Sequence, residues 1–141
     1  MFRTNGAPGM LAFTGEATGM TPRATGPNEL GPNVVVGKGS FIAHNVVLTA
    51  DVKVGRHSCV FHGSVIGHDT ALGDYSHVYS LVSIGGCVRI GEGASIFPGA
   101  KVVPRIAIGE GATVGIGSTV IRDVDPGITV FGSPAERFRL A

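Results

Sequence analysis

The residues best suited to chemistry lie in one stretch, Ser64–Gly86, which reads SVIGHDTALGDYSHVYSLVSIGG. It holds the adjacent pair His68 and Asp69, a second histidine at His77 and a glycine pair that ends at Gly86. A neutral imidazole is the usual general base near neutral pH, and a neighbouring carboxylate orients it and stabilises its protonated form. Because glycine has no Cβ, its backbone N–H can closely approach a developing oxyanion. Together these residues supply the base, orienting group and oxyanion donor that acyl transfer needs.

A six-residue repeat surrounds this stretch and must position it. Every sixth residue from Leu30 to Val120 is aliphatic, and the residue four positions later is small or β-branched in every unit. No helix has this period, and a simple alternating strand does not have it either, whereas a short strand followed by a corner fits it. Three units then make one 18-residue turn of a triangular coil with the aliphatic residues inside. The sequence therefore predicts an all-β fold, a parallel β-helix of hexapeptide repeats with about five coils.

The extent of the repeat divides the chain into three segments. Residues 1–29 are rich in Gly, Pro, Thr and Asn without periodicity, which predicts an irregular N-terminal arm. Residues 30–125 carry the β-helix. Residues 126–141 begin at a proline that ends the repeat, and they predict a turn followed by a short helical tail or another cap over the last coil.

The 18-residue period also predicts which side chains stack along the coil. His68 lies one turn before Gly86, so an imidazole is expected beside an accessible backbone N–H. His77 is expected between Cys59 and Ser95 in a different column. The base and the oxyanion donor are therefore predicted to share one corner of the prism.

Composition argues against several classes of function. The net charge is +1 without a run of like charges, which argues against a nucleic-acid partner. No apolar run approaches the ~18 residues of a membrane helix, and Gly and Pro interrupt the N-terminus before a signal-peptide core forms. A cytoplasmic protein without membrane insertion is expected. Cys59 and Cys87 form no CxxC motif, which predicts two reduced thiols.

From Leu30 to Ala135 the sequence resembles the left-handed β-helix of the hexapeptide acyltransferases. Within that group it is most similar to the sialic-acid O-acetyltransferase and nucleotide-aminosugar N-acetyltransferase branch. The motifs that carry the resemblance are SVIGHDTALGDYSHV (64–78), SIGGCVRIG (83–91) and VFGSPA (130–135). Members of this branch usually carry an N-terminal Rossmann-like domain for the sugar nucleotide, and residues 1–29 are too short for one.

The resemblance implies an O- or N-acyltransferase that uses an acyl-CoA, with acetyl-CoA as the expected co-substrate, and works as a homotrimer without a metal. His68 would take the proton from the acceptor amine or hydroxyl, and Asp69 would polarise it. The residues implied to line the acetyl-CoA site are His77, Gly86, Gly115 and Ile116, with the Gly86 N–H facing the thioester carbonyl. Candidates for the CoA phosphates are Lys101, Arg105, Arg122 and Arg137. The acceptor stays open, with a sugar or sugar-like molecule as one possibility.

Two other functions remain open at this point. A metal enzyme similar to the γ-class carbonic anhydrases is indicated by the H-x4-H spacing in GRHSCVFHG (55–63), and by His44 and His62, which lie one turn apart. Against it, His57 is one position out of the expected register, and no third histidine lies at the matching distance upstream. The other alternative is a non-catalytic β-helix that only assembles a complex.

Overall fold

The fold is a stack of short strands that form three sheets. The computed structural model describes residues 2–3 and 22–140 and contains no helix within them. Sheet A contains β1 (Phe2–Arg3), β4 (Val35–Val36), β7 (Lys53–Val54), β10 (Ala71–Leu72), β13 (Arg89–Ile90) and β16 (Ala107–Ile108). Sheet B contains β2 (Arg23–Ala24), β5 (Phe41–Ile42), β8 (Cys59–Val60), β11 (His77–Val78), β14 (Ser95–Ile96), β17 (Thr113–Val114), β19 (Thr129–Phe131) and β20 (Glu136–Arg137). Sheet C contains β3 (Glu29–Leu30), β6 (Val47–Leu48), β9 (Val65–Ile66), β12 (Ser83–Ile84), β15 (Lys101–Val102) and β18 (Thr119–Val120).

From β2 to β15 each strand pairs in parallel with the strand one coil later. Leu72 of β10, for example, pairs with Val54 of β7 on one side and with Ile90 of β13 on the other. The chain visits sheets C, A and B in turn, so the sheets are the three faces of a triangular prism of about six turns. The predicted all-β hexapeptide coil with an 18-residue turn is confirmed.

The repeat is explained by the prism interior. All sixteen aliphatic positions of the first set are buried, as are all the small or β-branched positions of the second. Hydroxyls in the second set bond to the backbone of the next coil: Ser64 Oγ donates to the Tyr79 carbonyl at 2.6 Å and accepts the Val82 N–H at 3.1 Å. No buried side-chain N or O atom of the described residues lacks a partner, so the polar core positions carry little desolvation cost.

Three vertices join the faces, and each is built from repeated corners. We call them vertex CA, vertex AB and vertex BC, after the two faces that each one links. Many corners contain a residue in the left-handed region, and in vertex CA these are Asn33, Asp51, Asp69, Cys87 and Arg105, with φ between 56° and 65°. A residue at this φ turns its side chain outward from the coil at the same place in each turn.

The coil starts earlier in the sequence than predicted, and a strand covers its last turn. The stack begins at β2, where Arg23 pairs with Phe41, and β3 continues it, so the coil includes the last part of the predicted arm. Residues 4–21 of that arm lie outside the described residues. At the other end β20 pairs antiparallel with β19, so a strand covers the last coil where the sequence allowed a short helical tail. Nothing in the described residues forms a helix that could cross a membrane.

Candidate active site

His68 and Asp69 lie in the corner of vertex CA that follows β9. A hydrogen bond of 2.8 Å joins His68 Nδ1 to Asp69 Oδ2, and more than half of each side chain is exposed. One coil later, a Cβ built on Gly86 would lie 2.6 Å from His68 Nε2. The imidazole therefore fills the space where a Gly86 side chain would be. The predicted proximity of His68 and Gly86 is confirmed at the level of atoms.

Backbone contacts lock these two corners together. The Cys87 N–H donates to the His68 carbonyl at 2.7 Å. Thr70 Oγ1 donates to the Gly85 carbonyl at 3.0 Å and accepts the Val88 N–H at 3.2 Å. The two corners can lie this close together only with glycine at position 67, because a Cβ there would lie 2.4 Å from the backbone of Gly85. His68 is thus held on a rigid frame while its ring stays accessible.

The corner N–H that Gly86 carries can bind an anionic oxygen in this fold. Arg56 occupies the equivalent corner position in vertex AB, and its N–H donates to Asp74 Oδ1 at 2.7 Å. The residue one coil after Gly86 is Pro104, which offers no side-chain acceptor. Within residues 22–140 the Gly86 N–H has no hydrogen-bond acceptor. Gly86 is buried in this chain, beneath the His68 ring, so the accessible N–H that the sequence predicts is not observed, and a ligand oxygen would have to reach this unpaired donor beside the ring.

His77 lies on the opposite side of the prism from His68. It is the outward residue of β11 on face B, half-buried between Cys59 and Ser95 as predicted. Vertex CA is the corner of the triangle opposite face B, so the two imidazoles face away from each other within one chain.

Burial raises the pKa of the Cys59 thiol, and the hydrogen bond from the Phe41 backbone opposes that shift only in part.

Gly115 and Ile116 also lie away from His68. Both follow β17 in vertex BC, and Ile116 is 63% exposed. A Cβ at Gly115 would lie 2.5 Å from the Phe131 ring. The candidate residues thus form two sets: His68, Asp69 and Gly86 at vertex CA, and His77, Gly115 and Ile116 on face B and vertex BC.

An aromatic column that sequence reasoning did not single out runs along vertex BC. The rings of Phe61, Tyr79 and Phe97 stack at 5.4 and 5.0 Å. The Tyr79 ring also meets the His77 ring edge-on at 6.3 Å. Reading every eighteenth residue from Phe61 gives Tyr79 and Phe97, so the repeat itself contains the signal for this column.

The four basic candidates also divide between the sides of the prism. Arg105 and Arg122 follow C strands in vertex CA, and Lys101 projects from face C beside them. Arg105 is anchored to the site because its N–H donates to the Gly86 carbonyl at 3.0 Å. Arg137 lies in β20 of sheet B. Three of the four therefore extend the His68 side of the molecule toward the C-terminal end.

Two histidine pairs, His57 with His62 and His44 with His62, suggested a zinc enzyme. Within one chain neither pair is arranged to bind a metal ion. His57 lies in vertex AB, where its ring stacks on Tyr75 at 5.4 Å, whereas His62 lies in vertex BC. His44 and His62 stack face to face, with ring centroids 5.6 Å apart and planes within 9°. Stacked rings point their nitrogens along parallel planes, which does not suit a tetrahedral ion.

Solved structures provide the comparison that identifies the fold. No protein-family model matches the sequence, nor does any curated protein at a significant level. PerB from Caulobacter crescentus, a perosamine N-acetyltransferase solved with CoA and GDP-perosamine, is 31% identical with a TM-score of 0.78. That match covers 79% of this chain and 54% of PerB. The chain shares the left-handed β-helix of the hexapeptide-repeat sugar N-acetyltransferases.

Other solved structures share this β-helix. The acetyltransferase domain of PglB from Neisseria gonorrhoeae, solved with acetyl coenzyme A, is 26% identical with a TM-score of 0.81, over 84% of this chain and 58% of that domain. AntD, an N-acyltransferase from Bacillus cereus, is 14% identical with a TM-score of 0.68, over 86% and 84%, and supports the fold alone. This chain spans little more than half the length of PerB and PglB. The predicted resemblance to hexapeptide sugar acetyltransferases is confirmed.

Proposed function

We propose that this β-helix transfers an acyl group, with acetyl-CoA as donor, to an amine or hydroxyl of a sugar or sugar-like acceptor. The observation that carries the proposal is the His68 imidazole, bonded to Asp69 at 2.8 Å and resting on Gly86. The fold adds support, since PerB and the PglB domain, at 31% and 26% identity, were solved with CoA and acetyl coenzyme A respectively.

The chemistry follows from three groups at vertex CA. His68 accepts the proton of the acceptor as its nitrogen or oxygen attacks the thioester carbonyl carbon. The carbonyl oxygen gains the negative charge, and the Gly86 N–H stabilises it in the way that the Arg56 N–H binds Asp74. Collapse of the tetrahedral intermediate breaks the C–S bond, and the imidazolium returns its proton to the departing CoA thiolate. Asp69 stabilises that imidazolium while it is charged.

The protein works as a homotrimer in this proposal, because one chain cannot assemble the site alone. His68 at vertex CA and His77 on face B point to opposite sides of the prism. In a cyclic trimer each contact joins two different surfaces, so vertex CA of one copy can meet face B of the next. Five successive outward residues of face B are half-buried and carry no Lys, Arg, Asp or Glu: Phe41, Cys59, His77, Ser95 and Thr113. Depletion of charge is typical of the centre of an interface.

Acetyl-CoA would then lie in the cleft between two copies. Its thioester meets His68 and Gly86, and its pantetheine passes His77, Gly115 and Ile116 of the next copy. Arg105 and Arg122, further along vertex CA, are placed to bind its phosphates. A donor of this kind is consistent with the cytoplasmic location that the sequence predicts.

Three measurements test the proposal. Calorimetry is expected to show acetyl-CoA binding, with light scattering showing a trimer. A thiol-release assay with aminosugar nucleotides and with sugars that carry only hydroxyls is expected to identify the acceptor class. Absence of CoA binding at millimolar ligand would overturn the proposal.

A further inference from the structure

Cys87 lies beside the pair that the proposed function uses as base and orienting group. His68, Asp69 and Cys87 each place one ligand atom within 4.8 Å of the others, and no other cluster of this kind occurs in the part of the chain that the structure describes. The three donors are an imidazole nitrogen, a carboxylate oxygen and a sulfur. They come from two adjacent coils of vertex CA.

The backbone directs these side chains to one point. Asp69 and Cys87 have φ of 56° and 60° at equivalent corner positions one turn apart, so both side chains leave the coil in the same direction. The 2.7 Å hydrogen bond from the Cys87 N–H to the His68 carbonyl fixes the offset between the two coils. The cluster is therefore built by the coil register and does not depend on a mobile loop.

Cysteine is an unusual residue for this corner. A positive φ is uncommon outside glycine and is tolerated best by Asn and Asp. The three preceding corners of the column hold Asn33, Asp51 and Asp69, which follow that preference, whereas Cys87 and the next corner residue, Arg105, depart from it. The left-handed conformation therefore does not by itself select cysteine, and what distinguishes Cys87 is that its sulfur lies beside His68 and Asp69.

We propose that His68, Asp69 and Cys87 form an inhibitory Zn²⁺ site at the active centre. Nitrogen, oxygen and sulfur donors suit Zn²⁺, whereas Mg²⁺ and Ca²⁺ require mostly oxygen ligands. Binding converts the Cys87 thiol to a thiolate and releases its proton, and water completes the coordination. A neutral imidazole that binds the ion through one ring nitrogen carries a proton on the other, so His68 could no longer accept the acceptor proton. The inhibition rests on the proposed function, while the binding site itself does not.

Metal binding is tested without turnover. Full-length protein treated with a chelator is titrated with Zn²⁺ by calorimetry and with Co²⁺ by absorption, in which a thiolate-to-cobalt charge-transfer band reports the sulfur ligand. We expect one ion per chain. Cys87→Ser should lose the band and bind Zn²⁺ at least tenfold more weakly, because even outer-shell partners of a metal are worth about 10–100-fold. Cys59→Ser, which changes the other cysteine, should bind as the wild type does.

Inhibition is tested in the acetyl-transfer assay. Zn²⁺ should inhibit the wild type, and chelator should restore its activity. Cys87→Ser should keep its activity and resist Zn²⁺. Unchanged Zn²⁺ affinity in Cys87→Ser, absence of the Co²⁺ band, or activation by Zn²⁺ would overturn the inference. Metal binding without any acetyl transfer would instead overturn the proposed function and leave the metal site standing.

Discussion

The imidazole of His68 occupies the place of a side chain at Gly86, since a Cβ there would lie 2.6 Å from Nε2. The two residues are 18 positions apart and equivalent in successive corners, so the coil register brings them together. Glycine at position 86 therefore does two things at once. It makes room for the proposed base, and it leaves a backbone donor next to that base.

Gly86→Ala should displace the imidazole and lower kcat/KM by about 100-fold, the usual result of a misplacement of roughly 1 Å at a reacting group. The fold should survive, because Gly86 is not among the residues with a positive φ. Steady-state kinetics and thermal unfolding measure the two effects. If both changes act through the same imidazole, kcat/KM of the Gly86→Ala/His68→Ala double variant should be no lower than that of His68→Ala alone. Fully additive losses would contradict this explanation.

His68→Ala should lower kcat by about 10²–10⁴, the usual contribution of a general base. His57→Asn is the matched control, since His57 is also a corner histidine but is half-buried in vertex AB, and Asn tolerates its φ of 51°. The control should retain wild-type turnover. A loss below about fivefold in His68→Ala would remove the residue from the role of base.

Mixing two inactive variants tests whether the site is shared between copies. In His68→Ala the proposed base is lost, and in His77→Ala the residue on the opposite face is lost. Each mixed trimer then contains one site with both histidines, so an equal mixture that is unfolded and reassembled should recover about a quarter of wild-type activity. A mixture as inactive as its components would contradict a site that is shared between copies.

The Arg56–Asp74 pair should make stability depend on pH at the acid end. The side-chain hydrogen bond from Arg56, with a further one from its backbone N–H, lowers the pKa of Asp74 below its usual range. The pKa of an aspartate in the unfolded chain is about 3.9, so the pair stabilises the fold fully above that pH. The stabilisation is lost as the pH falls through the lower pKa of the folded state.

Thermal unfolding of Asp74→Asn across acid pH measures this contribution. The difference in Tm between the wild type and Asp74→Asn should be constant at neutral pH and should disappear in strong acid. The effect should be small, because the Arg56 side chain is 64% exposed and solvent screens the pair. Asp125→Asn, which changes an exposed aspartate without an ion pair in residues 22–140, should show no such pH-dependent difference. A Tm difference that persists unchanged at the lowest pH would contradict the assignment.

Much of the site along the coil axis could be predicted from the sequence. Because every unit has six residues without an insertion, position modulo 18 determines which side chains stack. That arithmetic placed His68 against Gly86 and His77 against Cys59, and the structure has both. The same arithmetic applied to Phe61 would have found Tyr79 and Phe97, whose stacked rings were missed. Stacking is predictable because parallel strand pairing transmits register directly from one coil to the next.

Other features were decided by the tertiary structure. His68 and His77 are near neighbours in sequence, but nine residues are half of a coil, and the closed triangle turns them to opposite sides. The convergence of Cys87 on His68 and Asp69 depends on left-handed corner angles that set side-chain direction, which a periodic pattern does not encode. The strand cap β20 depends on the edge that the last coil exposes. The sequence by itself determined what repeats along the axis, while the faces on which the chemistry lies were decided only when the coil closed around its core.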